Sequence, residues 1–194
     1  MVTKESIRNR MKHRRAELSR REVYQYSAVI ADQLLSIPEY FRADTVHIYV
    51  SSKNNEVDTH ELIRLLIRQK KRVVVPIAET GSQELKHSEI YSLSELVGGA
   101  YGILVPRMHR PVSTQNVQVV VAPALAVDRN GTRIGFGTGF YDRFLAMVNV
   151  PTFALVYSFQ ILPKIPAEST DIPVSFVVSE REIVRCRNNS RDIS

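Results

Sequence analysis

The fold is decided by residues 46–77, VHIYVSSKNNEVDTHELIRLLIRQKKRVVVPI. The stretch opens with the apolar run VHIYV (46–50) and closes with RVVVPI (72–77), and both runs are typical of buried strands. Between them, ELIRLLIRQKK (61–71) has apolar residues at helical spacing. A strand, a helix and a second strand in so short a segment form a βαβ unit, which requires a parallel sheet.

Similar elements follow along the chain. Residues 84–97 are weakly patterned and predict a short strand and then a helix begun at Ser92 or Ser94. Three apolar runs predict further strands, and a helix precedes the second of them: QVVVAPALA (118–126), DRFLAMV (142–148, the helix), PTFALVY (151–157) and SFVVS (175–179). The alternation predicts a three-layer α/β domain with a mostly parallel central sheet and helices on both faces. We expect one domain over 1–194, with a polar tail from about residue 181.

Two helices are predicted before the first strand. The first, over 3–18, is amphipathic. Its apolar residues recur once per turn, except at one turn where Arg14 or Arg15 occupies the expected apolar position. Ser19 and Glu22 form a capping box that opens the second helix.

The positive charge of the chain is concentrated in the first helix and its end. The chain has a formal net charge of +6, and residues 1–21 alone carry that excess. This segment has two acidic residues, Glu5 and Glu17, and the basic residues Lys4, Arg8, Arg10, Lys12, Arg14, Arg15, Arg20 and Arg21. Such a segment indicates either an anionic partner, nucleic acid included, or simply a solvated basic face.

Composition excludes several classes of protein. No apolar run approaches the roughly 20 residues that cross a bilayer, so we expect a cytoplasmic protein without a membrane partner. Cys186 is the only cysteine, and no neighbouring histidine would activate it as a catalytic thiol. The five histidines are not at zinc-ligand spacing: His13, His47, His60, His87 and His109.

A second stretch, GTRIGFGTGFYDRF (131–144), suggests the chemistry. Gly135, Gly137 and Gly139 alternate with larger residues, so backbone N–H groups can approach an anion with no Cβ in the way. The helix that follows offers its positive N-terminal end to the same anion. The spacing matches neither a Walker A loop nor a dinucleotide fingerprint. The stretch therefore predicts a phosphate-binding loop, with a plain glycine turn as the alternative.

Charged residues around this loop fit a nucleotide. Asp142 beside a phosphate could hold Mg²⁺, which prefers carboxylate and phosphate oxygens. Lys4 and Arg8 lie four residues apart, so both could reach one polyphosphate from the same helix face. A solvated basic face is the alternative for this pair.

A third candidate region is the polar loop after the first strand, SSKNNEVDTHEL (51–62). It leaves the edge of the sheet where ligands bind in α/β folds. Glu56 could accept hydrogen bonds from the N–H groups of a heterocycle. Asp58 and Thr59 are equally well explained as caps of the next helix.

Five segments, in this order, resemble the 5-formyltetrahydrofolate cyclo-ligase family, also called methenyltetrahydrofolate synthetase. They are KESIR (4–8), EVDT (56–59), PALAVD (123–128), RIGFGTGFYDRFL (133–145) and DIPV (171–174). The resemblance implies a Rossmann-like fold. It also implies conversion of 5-formyltetrahydrofolate to 5,10-methenyltetrahydrofolate, with ATP as co-substrate, Mg²⁺ as cofactor, and ADP and phosphate as products.

The resemblance also implies roles for individual residues. Glu56 and Tyr141 correspond to substrate-binding positions, and Arg133, Tyr141 and Asp142 to catalytic ones. Asp142 and Asp171 correspond to acids associated with the metal. The ATP-binding positions are Lys4, Arg8, Arg133, Gly135, Gly137, Thr138, Gly139, Phe140 and Tyr141.

The chain departs from the family's usual residues at several positions. These are Thr138 and Phe140 in the glycine stretch, Ala124 and Val127 in PALAVD, Val105 in GILVP, and Ser175 after DIPV. A diverged ATP-binding relative with another substrate therefore remains an alternative. A nucleic-acid-binding module and an ATP-independent sugar-phosphate isomerase or CoA-transferase-like enzyme are further alternatives. We expect small-molecule partners and a monomer.

Overall fold

The structure, a computed structural model, describes residues 3–186. Within them lie five α-helices: α1 (Lys4–Ala16), α2 (Arg20–Leu35), α3 (Pro38–Phe41), α4 (His60–Arg68) and α5 (Phe140–Ala146). The first six strands are β1 (Thr45–Ile48), β2 (Arg72–Ile77), β3 (Lys86–Ile90), β4 (Leu96–Gly98), β5 (Leu104–Pro106) and β6 (Val119–Ala122). The other six are β7 (Ala126–Asp128), β8 (Arg133–Ile134), β9 (Thr152–Leu155), β10 (Ile161–Leu162), β11 (Phe176–Val178) and β12 (Ile183–Arg185).

The central sheet has seven strands in the order β12-β11-β9-β6-β1-β2-β3. The five inner strands run parallel, and the two edge strands, β3 and β12, pair antiparallel. The βαβ unit is confirmed, because β1 and β2 pair in parallel with Val46 opposite Val73 and α4 connects them. The predicted three-layer α/β fold is confirmed.

Both faces of the sheet are buried, which explains its continuous valine runs. Side chains of α2 and α4 pack on one face with Val119 and Val121, whereas α5 packs on the other face with Val120. Successive side chains of a strand point to opposite faces, so one strand serves both layers. Full burial of a single valine contributes roughly 1.5–3 kcal/mol.

The strand predicted over 118–126 is wrong as one element. The chain leaves the central sheet after β6, and β7 joins a separate small sheet of order β10-β7-β8. Pro123 follows β6 directly and has no N–H to donate to a strand ladder, which favours the break. Helix α1 packs on this small sheet through Ile7 and Met11.

Two other sequence predictions need correction. The helix predicted from Ser92 or Ser94 is a single 3-10 turn, Leu93–Glu95, in which the Ser92 hydroxyl accepts from the Ser94 N–H, and β4 follows at once. The final strand of the sheet is β12, not 175–179, and it lies inside the predicted polar tail. Only Val184 of β12 is buried, because an edge strand turns alternate residues to solvent. The remainder of that tail, 187–194, lies outside the described residues.

No helix within residues 3–186 is both long enough and apolar enough to cross a membrane.

Candidate functional site

A cavity of about 930 Å³ opens at the carboxyl ends of the parallel strands. In the sheet, β2 lies on one side of β1 and β6 lies on its other side. The direction in which successive strands are added therefore reverses at β1. Such reversal points are where α/β sheets bind ligands. All twelve residues predicted for the site line this cavity: Lys4, Arg8, Glu56, Arg133, Gly135, Gly137, Thr138, Gly139, Phe140, Tyr141, Asp142 and Asp171.

The glycine loop lies between β8 and α5 and depends on left-handed backbone. Gly137 has φ 103° and Gly139 has φ 69°, conformations that cost other residues about 1–2 kcal/mol. Arg8 reaches across the loop from α1, and its Nε donates to the Gly135 carbonyl at 3.0 Å. A Cβ on Gly137 would lie 3.6 Å from the Arg8 guanidinium carbon. Bare backbone and a cation therefore occupy the same wall.

Beneath the loop, Arg133 and Asp142 form a partly buried ion pair. Arg133 is 4% exposed, and its Nη2 lies 2.7 Å from Asp142 Oδ1. Burial lowers the pKa of Arg133, and the Asp142 charge opposes that shift. Within the described chain, Arg133 Nε is buried without a hydrogen-bond partner, as is the hydroxyl of Tyr141. Burial also raises the pKa of Tyr141, so its hydroxyl stays protonated and is available as a donor.

At the start of α1, one turn before Arg8, Lys4 is held by two acids. Its Nζ lies 2.6 Å from Asp171 Oδ2 and 3.2 Å from Glu168 Oε1. Burial alone would lower the pKa of Lys4, but the hydrogen bonds to Asp171 and Glu168 outweigh it and raise the pKa. The ammonium therefore stays charged at neutral pH.

The two predicted metal acids line one cavity but are each paired with a cation. Asp142 contacts Arg133 and Asp171 contacts Lys4. Within residues 3–186, no group of three or more His, Cys, Asp or Glu side chains could hold a metal ion. Mg²⁺ usually binds through one or two carboxylates together with water and substrate phosphates. The two acids fit that mode, in which the nucleotide completes the coordination.

Glu56 lies on the loop after β1 and turns its carboxylate back onto that loop. Its Oε2 accepts from the Ser52 N–H at 3.1 Å, and burial raises its pKa. The Tyr157 hydroxyl donates to the Glu56 carbonyl at 3.1 Å. The Asp58 carboxylate accepts from the His60 N–H at 2.8 Å, but Thr59, which directly precedes α4, donates its hydroxyl to the Tyr49 carbonyl at 2.9 Å and does not cap the helix. Of these two acids, Glu56 lines the cavity.

Sequence reasoning missed several residues of the cavity wall. Tyr101 lies in the turn between β4 and β5 with φ 56°, and its ring meets Phe140 edge-on at 6.5 Å. Lys53 donates to the Tyr101 carbonyl. Arg143 donates to the Thr138 carbonyl at 2.9 Å. The positions of Lys53 and Tyr101 depend on long-range contacts that no local pattern encodes, whereas Arg143 belongs to the glycine stretch itself.

Three of the six departures from family residues fit local packing. Phe140 is buried against Tyr101, where a hydroxyl is not required. The Val105 side chain occupies the space beside Gly99, where a Cβ on the glycine would come within 2.7 Å of it. The Ser175 hydroxyl accepts from the Thr152 N–H at 3.1 Å and so stabilises the start of β9.

Two histidines that are distant in sequence meet beneath the site. His47 Nε2 and His87 Nδ1 are 3.2 Å apart, and the His47 ring packs on Phe144 and Tyr141. Burial, with a smaller contribution from His109, lowers the pKa of His87 to about 4. Cys186 is 7% exposed, and burial raises the pKa of its thiol to about 11, which disfavours the thiolate.

The chain is similar to a known group of proteins. Residues 1–180 match the model of the 5-formyltetrahydrofolate cyclo-ligase family. The 5-formyltetrahydrofolate cyclo-ligase of Escherichia coli K12 is 28% identical over 179 residues, covering 89% of this chain and 98% of that protein. That of Mycolicibacterium smegmatis is 33% identical over 151 residues, covering 74% and 77%.

Solved structures agree with this. The 5,10-methenyltetrahydrofolate synthetase of Aquifex aeolicus superimposes with a TM-score of 0.83 at 31% identity, covering 95% of this chain and 93% of that one. The Mycoplasma pneumoniae 5,10-methenyltetrahydrofolate synthetase has a TM-score of 0.76 at 18% identity, covering 92% and 99%, and shares the fold.

Proposed function

The chain belongs to the 5-formyltetrahydrofolate cyclo-ligase family, an ATP-dependent ligase family that forms 5,10-methenyltetrahydrofolate, and we propose that the cavity at the strand ends is where this reaction occurs. The observation that carries the proposal is the meeting of two kinds of wall in one cavity. One wall is cationic and glycine-rich, as a polyphosphate requires, and the other holds Glu56. The volume lies at the upper end of the usual range for small-ligand sites, about 300–1,000 Å³.

The nucleotide occupies the side formed by α1 and the glycine loop. Lys4 and Arg8 neutralise phosphate charge, and the bare backbone of Gly135, Gly137 and Gly139 lets the phosphates approach. Thr138 and Phe140 complete this loop. Mg²⁺ bound by Asp142 and Asp171 would neutralise further charge on the transferred phosphoryl group.

The folate occupies the side formed by Glu56 and Tyr141. The Glu56 carboxylate accepts hydrogen bonds from the N–H groups of the folate ring system. The buried Tyr141 hydroxyl, which lacks a partner within the described residues, donates to the substrate. Because leaving such a hydroxyl unsatisfied costs about 1–3 kcal/mol, satisfying it favours substrate binding.

The chemistry needs positioning and charge neutralisation rather than a side-chain nucleophile. The formyl oxygen attacks the γ-phosphorus, and the bond to ADP breaks. N10 then attacks the activated formyl carbon, its proton passes to the departing phosphate, and the carbon–oxygen bond breaks to give the methenyl bridge. Arg133, fixed by Asp142, stabilises the negative charge that builds up on the transferred phosphoryl oxygens.

The test is turnover of 5-formyltetrahydrofolate by the purified protein with ATP and Mg²⁺, followed by the absorbance of the methenyl product. One ADP should form per product. Asp142→Asn should lower kcat at least about a hundredfold, as loss of a charged group at a transferred phosphoryl centre commonly does. Asp32→Asn, an exposed change on α2, should leave kcat unchanged. A folded wild-type protein that gives no product would overturn the proposal, and turnover without ATP would favour the ATP-independent alternative.

The basic N-terminal segment gives little support to nucleic-acid binding. Lys4 and Arg8 line the cavity, and Arg15 is buried. Lys4 and Arg8 therefore face the proposed nucleotide site and Arg15 faces loop carbonyls, so none of the three presents its charge on an open surface. We retain the expectation of a monomer in the cytoplasm, which gel filtration and localisation of the tagged protein would test.

A further inference from the structure

Arg15 is a buried cation that the predicted site did not include. It lies on α1 at the turn where the apolar stripe is interrupted, and it is 2% exposed. A charged side chain is rarely buried so fully unless its donors are satisfied. Its contacts therefore indicate why an arginine occupies this position.

The donors of Arg15 go to the loop that carries Glu56. Nε donates to the Asn54 carbonyl at 2.6 Å, and Nη2 donates to the Lys53 carbonyl at 3.4 Å. Hydrogen bonds from a charged group are stronger than those between neutral groups. The guanidinium thus fixes the backbone immediately before Glu56.

The loop also donates hydrogen bonds to the end of α1. Asn55 Nδ2 donates to the Arg15 carbonyl at 2.8 Å and to the Leu18 carbonyl at 3.0 Å, which satisfies carbonyls at the end of α1. Asn54 and Asn55 have φ 55° and 47°, left-handed values that asparagine tolerates better than most residues. We call these reciprocal hydrogen bonds between Arg15 and residues 53–55 the Arg15 clasp.

The clasp lies at one end of the helix whose other end carries the phosphate-binding cations. Arg15 is eleven positions after Lys4, which at about 1.5 Å per residue is roughly 16 Å along α1. One rigid element therefore contacts both walls of the cavity.

Arg15 is also a charge partner of Glu56. Burial raises the pKa of the Glu56 carboxyl, and the Arg15 charge lowers it. The other groups that face Glu56 are Lys53 from the same loop and three tyrosines: Tyr49 directly after β1, Tyr141 in α5 and Tyr157 shortly after β9. Of these only Lys53 is cationic, and it is exposed. Arg15 is thus the buried cation whose charge opposes the effect of burial on the pKa of Glu56.

Resting on the proposed function, we propose that Arg15 is a positioning residue: through its clasp on residues 53–55 it fixes the loop that presents the Glu56 carboxylate to the folate. Arg15 is not among the residues that line the cavity in the described chain. Its loss should therefore affect folate binding through Glu56 and spare phosphate chemistry.

The experiment compares Arg15→Gln with Arg10→Gln, which removes the same charge from an exposed position five residues earlier on α1. In Arg15→Gln, KM for 5-formyltetrahydrofolate should rise about tenfold or more, the effect of losing one charge-assisted hydrogen bond. KM for ATP and kcat should change less than about threefold. Arg10→Gln should match the wild type in all three constants.

A pH profile separates this role from a purely structural one. As pH falls, folate kcat/KM should drop when Glu56 is protonated. This acid limb should move to higher pH in Arg15→Gln, because the cation that lowers the pKa of Glu56 is gone. Glu56→Gln should abolish the limb. When Glu56 is already replaced by glutamine, adding Arg15→Gln should lower kcat/KM for the folate by less than about threefold. The effects of two residues that act through one another are not additive.

Arg15→Lys keeps the charge but loses the planar fork, so it serves as the second variant if Arg15→Gln fails to fold. It should keep the acid limb near its wild-type position while raising KM for the folate. Unchanged KM in both folded variants, or full additivity with Glu56→Gln, overturns the role of Arg15. Absence of wild-type turnover instead overturns the proposed function, so the two failures are distinguishable.

Discussion

Adding a single methyl group at Gly131 should lower the free energy of unfolding of the protein substantially. Gly131 lies in the turn between β7 and β8 with φ 88°, and its carbonyl accepts from the Val174 N–H at 2.9 Å. A Cβ there would lie 2.3 Å from the Val174 carbonyl oxygen and 3.2 Å from the Cys186 Cβ. Because backbone atoms form the obstacle, rotation of a side chain cannot relieve it.

The cost of Gly131→Ala follows from two contributions. Left-handed backbone costs a non-glycine residue about 1–2 kcal/mol. Forcing an extra methyl into a packed region costs about 1–3 kcal/mol more. The sum, about 3 kcal/mol, is a large part of a typical stability of roughly 5–15 kcal/mol. For a chain of this length the melting temperature should fall by roughly 6–12 °C.

Gly81→Ala is the matched control. Gly81 also has positive φ, 82°, but no atom lies within 4 Å of the point where its new methyl would sit, so only the conformational cost applies. Denaturant unfolding of both variants measures the difference directly. If Gly131→Ala loses no more free energy of unfolding than Gly81→Ala, the clash with Val174 does not exist in solution and the reasoning is refuted.

Three further results are expected. Gly137→Ala, with φ 103° and the Arg8 guanidinium 3.6 Å from the new methyl, should raise KM for ATP about tenfold in steady-state assays and leave melting near that of Gly81→Ala. Lys4→Gln should raise KM for ATP between about ten- and a hundredfold, because a charged donor is lost, and unchanged KM would contradict the assignment. His87 has its pKa lowered from 6.5 to about 4, so the unfolded chain binds its proton first. Stability should fall from about pH 6.5 to about pH 4 by up to about 3 kcal/mol, and less steeply in His87→Leu, as acid-dependent unfolding would measure.

Local signals were sufficient for the parallel sheet and the glycine loop. The valine runs of β2 and β6 are buried on both faces, and apolar runs of that kind need no tertiary information to be identified. The alternation of glycines before Tyr141 likewise indicates approachable backbone from sequence alone. Nearness of Lys4 and Glu56 to that loop could be expected from the resemblance, not from any local pattern.

Long-range packing decided what the sequence could not predict. Whether Arg14 or Arg15 turned inward depended on where the loop at 53–55 settles against α1. The strand β12 has one buried residue, Val184. A single buried residue among polar neighbours does not produce a recognisable strand pattern in the sequence. The break after β6 was hidden because 118–126 reads as one apolar run, although its two ends belong to different sheets.

The pair Lys4–Asp171 joins residues 167 positions apart, at the side of the cavity proposed for phosphate. A nucleotide held there would act as a reversible cross-link between the two ends of the described chain. Opening α1 would then require release of the nucleotide, and the cost of opening would increase with nucleotide concentration. Amide hydrogen exchange in α1, far along the chain from the glycine loop, should therefore slow as ATP is added, even in the absence of folate.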